Sequence, residues 1–278
     1  MTDPSEPLFL LGPGYSGRAL ARLWPGPVAG SVRSDRSLVA LKDSEIQPID
    51  SGDDDALRAS VNGAHIVISA PPTDQGCPGF DLIGAYANTA LSVTYLSTTG
   101  VYGDLRGGWA MEWTRPRPQS ERARRRVQAE QIWQSTDTEA RIVRLPGIYG
   151  PGRSAFERIR QGKARRIVRP GQVFSRAHVD DIAAGLRALL VSRECGVFHL
   201  CDDLAAPPQD VISYAAGLMQ TEPPPEVAFA DADLSAMARS FYSECKRVSN
   251  AKIKAATGWR PLYPTYREGL KAILALQR

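Results

Sequence analysis

The chain has 278 residues, 43% of them hydrophobic, which is enough apolar material for one large or two moderate cores and excludes a disordered polymer. A formal net charge of +4, from 34 basic against 30 acidic side chains, gives no electrostatic ground for a nucleic-acid binder. No apolar run approaches the ~20 residues that cross a bilayer, so no membrane partner is expected. The stretch Met1–Gly14 starts acidic and is only briefly apolar, unlike a secretory signal, and a soluble cytoplasmic protein is the expectation. Cys77, Cys195, Cys201 and Cys245 show no CxxC spacing and the three histidines are scattered, so neither a metal site nor a disulfide framework is expected.

Short apolar runs alternate with helical patterns along the first half. Leu8–Gly12, Val28–Arg33, Ile46–Asp50, Ala64–Ala70, Ser92–Thr98 and Ala140–Leu145 read as buried strands. Their spacing leaves room for the crossover helices that parallel neighbours require. That rhythm predicts an α/β fold, a Rossmann-type doubly wound parallel sheet. A later run, Gly196–Asp202, predicts one more strand returning to the same sheet. After Pro146, glycine, proline and arginine rise and strands thin out. Prolines at 207, 208 and 223–225 bracket a helix over roughly Asp210–Gln220, and the terminal stretch sets Tyr266, Leu270, Ile273 and Leu274 on one helical face.

The hexad Gly12-Pro13-Gly14-Tyr15-Ser16-Gly17 follows the first run directly and opens a helix. Glycine at the first position permits a tight turn, and at the second it lets a pyrophosphate approach the backbone. At the third it lets the helix pack close to the strand, and the helix N-terminus favours the phosphate charge. A purely structural glycine turn is the plain alternative. The strand–turn–helix context favours a dinucleotide held by Gly12, Gly14, Tyr15, Ser16 and Gly17. At the end of the second run, chains that select NAD carry an acid for the ribose 2′-hydroxyl. This chain has Ser31, Arg33 and Arg36 there, and a guanidinium at Arg33 suits a 2′-phosphate. A shift of two residues would put Asp35 in that place instead, and a solvated loop charge is the bland reading of Arg33. The pattern favours NADP over NAD. The expected division is a dinucleotide-binding domain over 1–150 and a smaller, mainly helical substrate lobe over 151–278.

Four further stretches carry a family resemblance: YLSTTGVYGD (Tyr95–Asp104), RLPGIYGPG (Arg144–Gly152), FSRAHVDDIA (Phe174–Ala183) and VSNAKIKAATGWRP (Val248–Pro261). In this order, with the glycine hexad and Asp50, the chain resembles the extended and atypical short-chain dehydrogenases/reductases, which include the NAD-dependent epimerase/dehydratase family. The resemblance covers nearly the whole length. It implies that Asp50 touches the adenine, that Ala70 and Pro71 line the cofactor groove, and that Pro146, Gly147 and Ile148 pass the nicotinamide. It implies that Thr98 polarises the substrate, against the alternative of a β-branched residue closing a strand end. His178 and Asp180 take a structural part in the loop between the lobes. A homodimer paired through helices would be in keeping with the superfamily.

The resemblance breaks at one helix. Family members carry a tyrosine, a lysine four residues later and a glutamate four residues after that, a spacing that sets all three on one helical face. Anchored on Glu130 in SERARRRVQAEQ (Ser120–Gln131), the lysine place falls on Arg126 and the tyrosine place on Arg122. No register shift restores the pair, because neither residue type occurs between Tyr102 and Tyr149. A guanidinium, with a pKa above about 12, exchanges no proton near neutrality, which removes the usual tyrosine–lysine proton transfer. Arg126 can still hold the nicotinamide ribose. Arg122 can hold an anionic substrate group or be solvated. Tyr102 and Tyr149 are the nearest other phenols.

A second basic stretch, Arg158–Arg176, borders the expected cleft and suits a small anionic substrate such as a nucleotide sugar. No aromatic residues interleave the arginine cluster itself, from Arg158 to Arg169, which argues against nucleic acid. Two functional readings stand. One is an NAD(P)-binding oxidoreductase or epimerase/dehydratase-like enzyme of non-standard mechanism, with Thr98, Arg122 and Arg126 in the catalytic site and no metal. The other is a non-catalytic NADP-sensing or regulatory protein that kept the groove and lost the proton-transfer pair. The intact Ser97–Gly103 stretch and the developed C-terminal lobe favour the enzyme.

Overall fold

Leu8–Leu11 (β1) is buried at every position, the mark of a parallel strand covered on both faces. In the computed structural model the described residues are 6–42, 44–136 and 138–277. The acidic start Met1–Ser5 and the terminal Arg278 lie outside them. After β1 come α1 (Tyr15–Ala21), β2 (Val28–Val32), α2 (Asp35–Val39), β3 (Gln47–Asp50) and α3 (Asp54–Val61). Then follow β4 (His65–Ile68), α4 (Pro78–Ile83), β5 (Ser92–Thr98), β6 (Trp109–Ala110), α5 (Glu121–Gln134) and β7 (Ala140–Leu145). The second half opens with β8 (Gly147–Tyr149), α6 (Ala155–Arg160), β9 (Arg166–Val168), β10 (Arg176–His178), α7 (Val179–Ser192) and β11 (Gly196–His199). It closes with α8 (Pro208–Leu218), β12 (Glu226–Ala228), α9 (Ala236–Tyr242), β13 (Arg247–Val248), α10 (Ala251–Thr257) and α11 (Tyr266–Ala275).

Seven strands form one parallel sheet in the order β11-β7-β5-β4-β1-β2-β3. This is the Rossmann-type α/β sheet that the strand rhythm predicts, with Gly196–His199 as its added strand beside β7. The order reverses between β1 and β4, and such a sheet takes ligands at that crevice, beyond the C-terminal strand ends. Alternation along β1 feeds two cores. Leu8 and Leu10 join Val67, Leu96, Val143 and Phe198 on the α1 and α7 side. Phe9 and Leu11 join Ile66, Ile68, Tyr95 and Ile142 on the side of α3, α4 and α5. Each such side chain contributes roughly 1.5–3 kcal/mol by leaving water.

A third core of Tyr149, Phe156, Ile212, Leu270 and Ile273 gathers α6, α8 and α11. Three two-stranded parallel pairs, β8–β10, β9–β12 and β6–β13, tie these helices back to the sheet. At the two sheet edges, Pro48 stands in β3 and Lys252 Nζ donates to Val197 O of β11 at 2.8 Å.

The ends of elements differ from the sequence expectation where the backbone turns. β1 stops at Leu11 because Gly12 takes φ +75°, and β2 stops at Val32, leaving Arg33 as the first residue beyond it. The helix expected over Asp210–Gln220 spans Pro208–Leu218, since Pro208 is preorganised for a first helical position and Gln220 turns to φ 55°. Among the described residues no helix is long and apolar enough to cross a membrane, no group of three His, Cys, Asp or Glu is placed to hold a metal, and the four cysteines are unpaired.

Candidate functional site

The glycine hexad sits between its two neighbouring strands, pinned by one serine from each. Gly12 N donates to Ser31 Oγ of β2 at 2.9 Å, and Ser69 Oγ, just past β4, donates to Gly12 O. The positive φ of Gly12 is the conformation that side-chain-bearing residues rarely adopt. Gly14 keeps an ordinary φ of −79° and lines the cleft, so its missing side chain matters for space. A Cβ at Gly17 would stand 3.7 Å from Leu10 Cδ1, an ordinary contact, so the close helix–strand approach expected there leaves room for a methyl group. Ser16 and Gly17 are buried at the start of α1. Tyr15 closes the far side, its hydroxyl donating to Pro151 O at 2.9 Å, and burial pushes the phenol up to about 12.

A cleft of about 370 Å3 opens over this loop. Gly12, Pro13, Gly14, Ala70 and Pro71 form one wall, and Arg33, Ser34 and Ser37 border the opposite end. Ser34 caps α2 in a reciprocal box with Ser37, and Arg33 N donates to Ser37 Oγ at 3.1 Å. Asp35 is the first residue of α2 and does not line the cleft, so the chain's turn puts Arg33 and not the acid beside it. Among the described residues Arg33 meets no carboxylate. Arg36 is exposed one turn further along, outside the lining. Asp50 ends β3 with Oδ1 accepting from Gly52 N at 3.0 Å, and its neighbour Ser51 is the residue that reaches the cleft. A wider, open groove of about 500 Å3 lies between α8 and α11, lined by Tyr214, Tyr266 and Arg267, away from every motif residue.

On the other side of the crevice, α5 begins at the cap Ser120, whose hydroxyl accepts from Ala123 N at 3.2 Å. Arg126 turns towards β5. Its Nη1 donates to Leu96 O at 2.7 Å and to the Tyr95 hydroxyl at 3.1 Å, while Nε and Nη2 make no hydrogen bond among the described residues. One turn earlier, Arg122 is exposed and lies over the Phe241 ring at 5.2 Å. Thr98, half-buried at the end of β5, accepts from Gly100 N at 3.2 Å and so caps the following turn. Pro146 and Ile148 sit where β7 passes into β8, and Ile148 packs on the α1–α7 core.

The two phenols nearest the arginine helix in sequence, Tyr102 and Tyr149, are buried. Tyr102 is fully enclosed, and its oxygen accepts from Arg144 Nη1 at 2.7 Å and lies 2.6 Å from His199 Nε2. His199 Nδ1 stands 2.8 Å from Ser249 O, an atom that only accepts, so Nδ1 carries the proton and Nε2 accepts from the phenol. Burial pushes Tyr102 up to about 12 and His199 down to about 4, leaving both neutral at ordinary pH. Arg144 in turn is bound by Glu130, the residue on which the α5 motif is anchored. Tyr149 is buried against Gly269 of α11, and burial raises its phenol too. His178 Nδ1 accepts from Asp180 N at 3.2 Å and caps α7, and the Asp181 carboxylate accepts from Leu262 N and Tyr263 N.

The sequence reading missed the two serines that pin Gly12, the Ser34–Ser37 box and the Tyr102–His199 contact. Only Ser34 and Ser37 left a signal, a serine pair three apart at a helix start.

No family model matches the chain. A functionally unknown conserved protein from Silicibacter pomeroyi DSS is 43% identical, with a TM-score of 0.91 over 98% of this chain and 99% of that one. A Methylobacillus flagellatus protein assigned as an NAD-dependent epimerase/dehydratase is 24% identical, with a TM-score of 0.76 over 99% of both chains, a likeness of fold. In sequence, 152 residues are 26% identical to a 3-diazoavenalumate denitrifying reductase of a Streptomyces species, a match spanning 52% of this chain and half (50%) of that protein.

Proposed function

Because the chain belongs to the family of the conserved Silicibacter pomeroyi protein and carries the fold of epimerase/dehydratase-like short-chain dehydrogenases/reductases, we propose that it is an NAD(P)-binding enzyme. Its substrate is a small anion, with a nucleotide sugar as the leading class, and its mechanism dispenses with the tyrosine–lysine pair. The observation that carries this reading is the cleft of about 370 Å3 that runs from Gly12 and Gly14 to Arg33, a cation without a carboxylate partner among the described residues. The epimerase/dehydratase fold of the Methylobacillus protein and the reductase name of the Streptomyces one support it.

A bound nicotinamide dinucleotide supplies hydride exchange. The chain's own residues do the rest. Gly12 and Gly14 admit the pyrophosphate to the backbone, Ala70 and Pro71 form the wall, and Asp50 stands at the adenine end. Arg33 with the Ser34 and Ser37 hydroxyls receives a 2′-phosphate, which makes NADP the preferred form. Arg126 turns its free guanidinium edge to the ribose, Arg122 offers donors to the substrate anion, and Thr98 orients the reacting group. Residues 1–150 hold the cofactor and 151–278 close over the substrate. Neither arginine moves a proton near neutrality, so neither takes the place of the tyrosine as proton donor, and that role is unassigned.

A fluorescence titration with NADPH and NADH tests the reading. The expected result is NADPH binding tighter by ~10-fold or more, the worth of one charge-assisted contact. Binding of neither removes the enzyme reading. One observation favours the second reading, a non-catalytic NADP sensor: Tyr102 and Tyr149 are buried and Thr98 already caps a turn. That reading predicts NADPH binding with no consumption across a panel of nucleotide sugars, and a partner contact or assembly state that differs between NADP+ and NADPH.

A further inference from the structure

Exposed aromatic side chains gather on two joined segments. From Trp109 to Trp113 burial alternates: Ala110 and Glu112 are buried, whereas Trp109 and Trp113 stand 58% and 77% exposed. Thr114 N donates to Met111 O at 2.9 Å and closes the turn that carries Trp113. The second segment is α9, which packs inward through Tyr242, stacked on Phe229 at 5.2 Å and edge-on to Phe174 at 5.5 Å. Met237 and Phe241, four residues apart on one face of it, are exposed. The segments are tied together, since β6 pairs with β13 and both Leu105 N and Gly107 N donate to Cys245 O, three residues beyond α9. Among the described residues, the exposed tryptophan, phenylalanine and methionine side chains are these four, and the other exposed large apolar residues are leucines and valines. Single exposed apolar residues are ordinary, whereas a gathered set marks a contact surface.

The same edge is basic. Of the acids between Gly103 and Arg125, Asp104 accepts from Arg106 N and Cys245 N, Glu112 is buried, and Glu121 is paired with Arg124 and Arg125 at 3.5 Å. The guanidiniums of Arg106, Arg115 and Arg117 are exposed and meet no carboxylate among the described residues. Asp231 and Asp233 precede α9, at the opposite end of that helix from Phe241. Pairing this edge with the same edge of a second copy would set like charges together. A nucleic acid would take the arginines and the rings and leave Met237 uncovered. Exposed tryptophan, phenylalanine and methionine among uncompensated arginines match the interface of an anionic bilayer, where rings lie at the headgroup level and guanidiniums reach lipid phosphates.

We propose that this edge docks the protein reversibly on an anionic membrane surface, with Trp109, Trp113, Met237 and Phe241 entering the interface and Arg106, Arg115 and Arg117 meeting lipid headgroups. Such a contact needs no spanning helix, only apolar side chains that enter the interface and cations beside them. It stands apart from the cofactor reading, because none of these residues lines the glycine-loop cleft.

Co-sedimentation of the full chain with phosphatidylcholine vesicles, with and without about 30% phosphatidylserine, tests this at an ionic strength of ~0.15 M. Wild type is expected on the anionic vesicles and not on the neutral ones. Trp109→Gln/Trp113→Gln is expected to bind at least ~10-fold more weakly, and Arg115→Gln/Arg117→Gln ~25-fold more weakly. Leu276→Gln, equally exposed at the end of α11, is expected to bind like wild type. Every changed side chain is exposed, so the variants keep the fold, which their melting curves check. No binding of wild type to anionic vesicles, equal binding to neutral ones, or tryptophan and arginine variants that bind like wild type each overturn the proposal. A loss with Leu276→Gln as large as with the tryptophan pair puts the contact elsewhere and overturns it too. A single-stranded oligonucleotide that displaces the vesicles, and whose binding falls with the same variants, assigns the edge to nucleic acid and overturns the membrane contact.

Discussion

Arg144 and Glu130 are joined by two hydrogen bonds, Nε to Oε1 at 3.0 Å and Nη2 to Oε2 at 2.6 Å, with side chains only 5% and 3% exposed. The pair fixes α5 against β7, and with it the height at which Arg126 meets β5. Glu130→Gln leaves a buried guanidinium without its counter-charge, so chemical denaturation should show a loss of roughly 3–5 kcal/mol. The double variant Glu130→Leu/Arg144→Met should recover most of it. A loss under ~1 kcal/mol, the size of an exposed pair, would contradict the buried-pair account.

Arg33→Ala should weaken NADPH by about 10-fold and leave NADH within about 2-fold, because only the 2′-phosphate meets the guanidinium. Equal loss for both cofactors would mean that Arg33 acts on the shared part of the dinucleotide or on the fold of the loop.

Thr98→Ala removes the cap on the turn that follows β5, with an expected cost of about 1 kcal/mol in denaturation. If Thr98 also orients the substrate, turnover falls by ~10-fold or more while NADPH affinity stays put, and Thr98→Ser restores both. A variant that loses stability but keeps its turnover would leave Thr98 as a strand-end cap alone.

Asp202 carries a pH signature. Both its carboxyl oxygens are buried with no hydrogen-bond partner among the described residues, and burial pushes the group from 3.8 up to about 8. The folded state then keeps a proton that the unfolded chain releases, so this group's contribution to stability falls as pH rises from about 4 through 8. Asp202→Asn removes the dependence. Its gain in melting temperature should be larger at high pH than at low pH by ~5 °C or more. A difference between variant and wild type that is flat with pH would show Asp202 to be ionised in the fold.

The central strands were readable from the chain because they are covered on both faces and show as mainly apolar runs. Ser92–Thr98 and Ala140–Leu145 coincide with β5 and β7 to the residue. Where runs and strands part, as at Gly12 and Arg33, backbone geometry and not hydrophobicity ends the strand. The glycine loop was legible for its context, a strand before it and a helix after. The pins on that loop were not, since Ser31 and Ser69 meet Gly12 only because β2 and β4 flank β1. Tyr102 and His199 are 97 residues apart, and no local pattern couples them. Phe241 gave no sign of meeting Arg122, because a helix without a buried face has no apolar period to read.

The two ends of the sheet have a consequence for how copies of the chain can come together. Pro48 in β3 has no N–H to offer, and on β11 the Val197 carbonyl already accepts from Lys252. Each border thus lacks part of the ladder that an incoming strand would need, which blunts it as a template for fibrous growth or strand exchange. The crevice between β1 and β4 lies central in the sheet and remote from both borders.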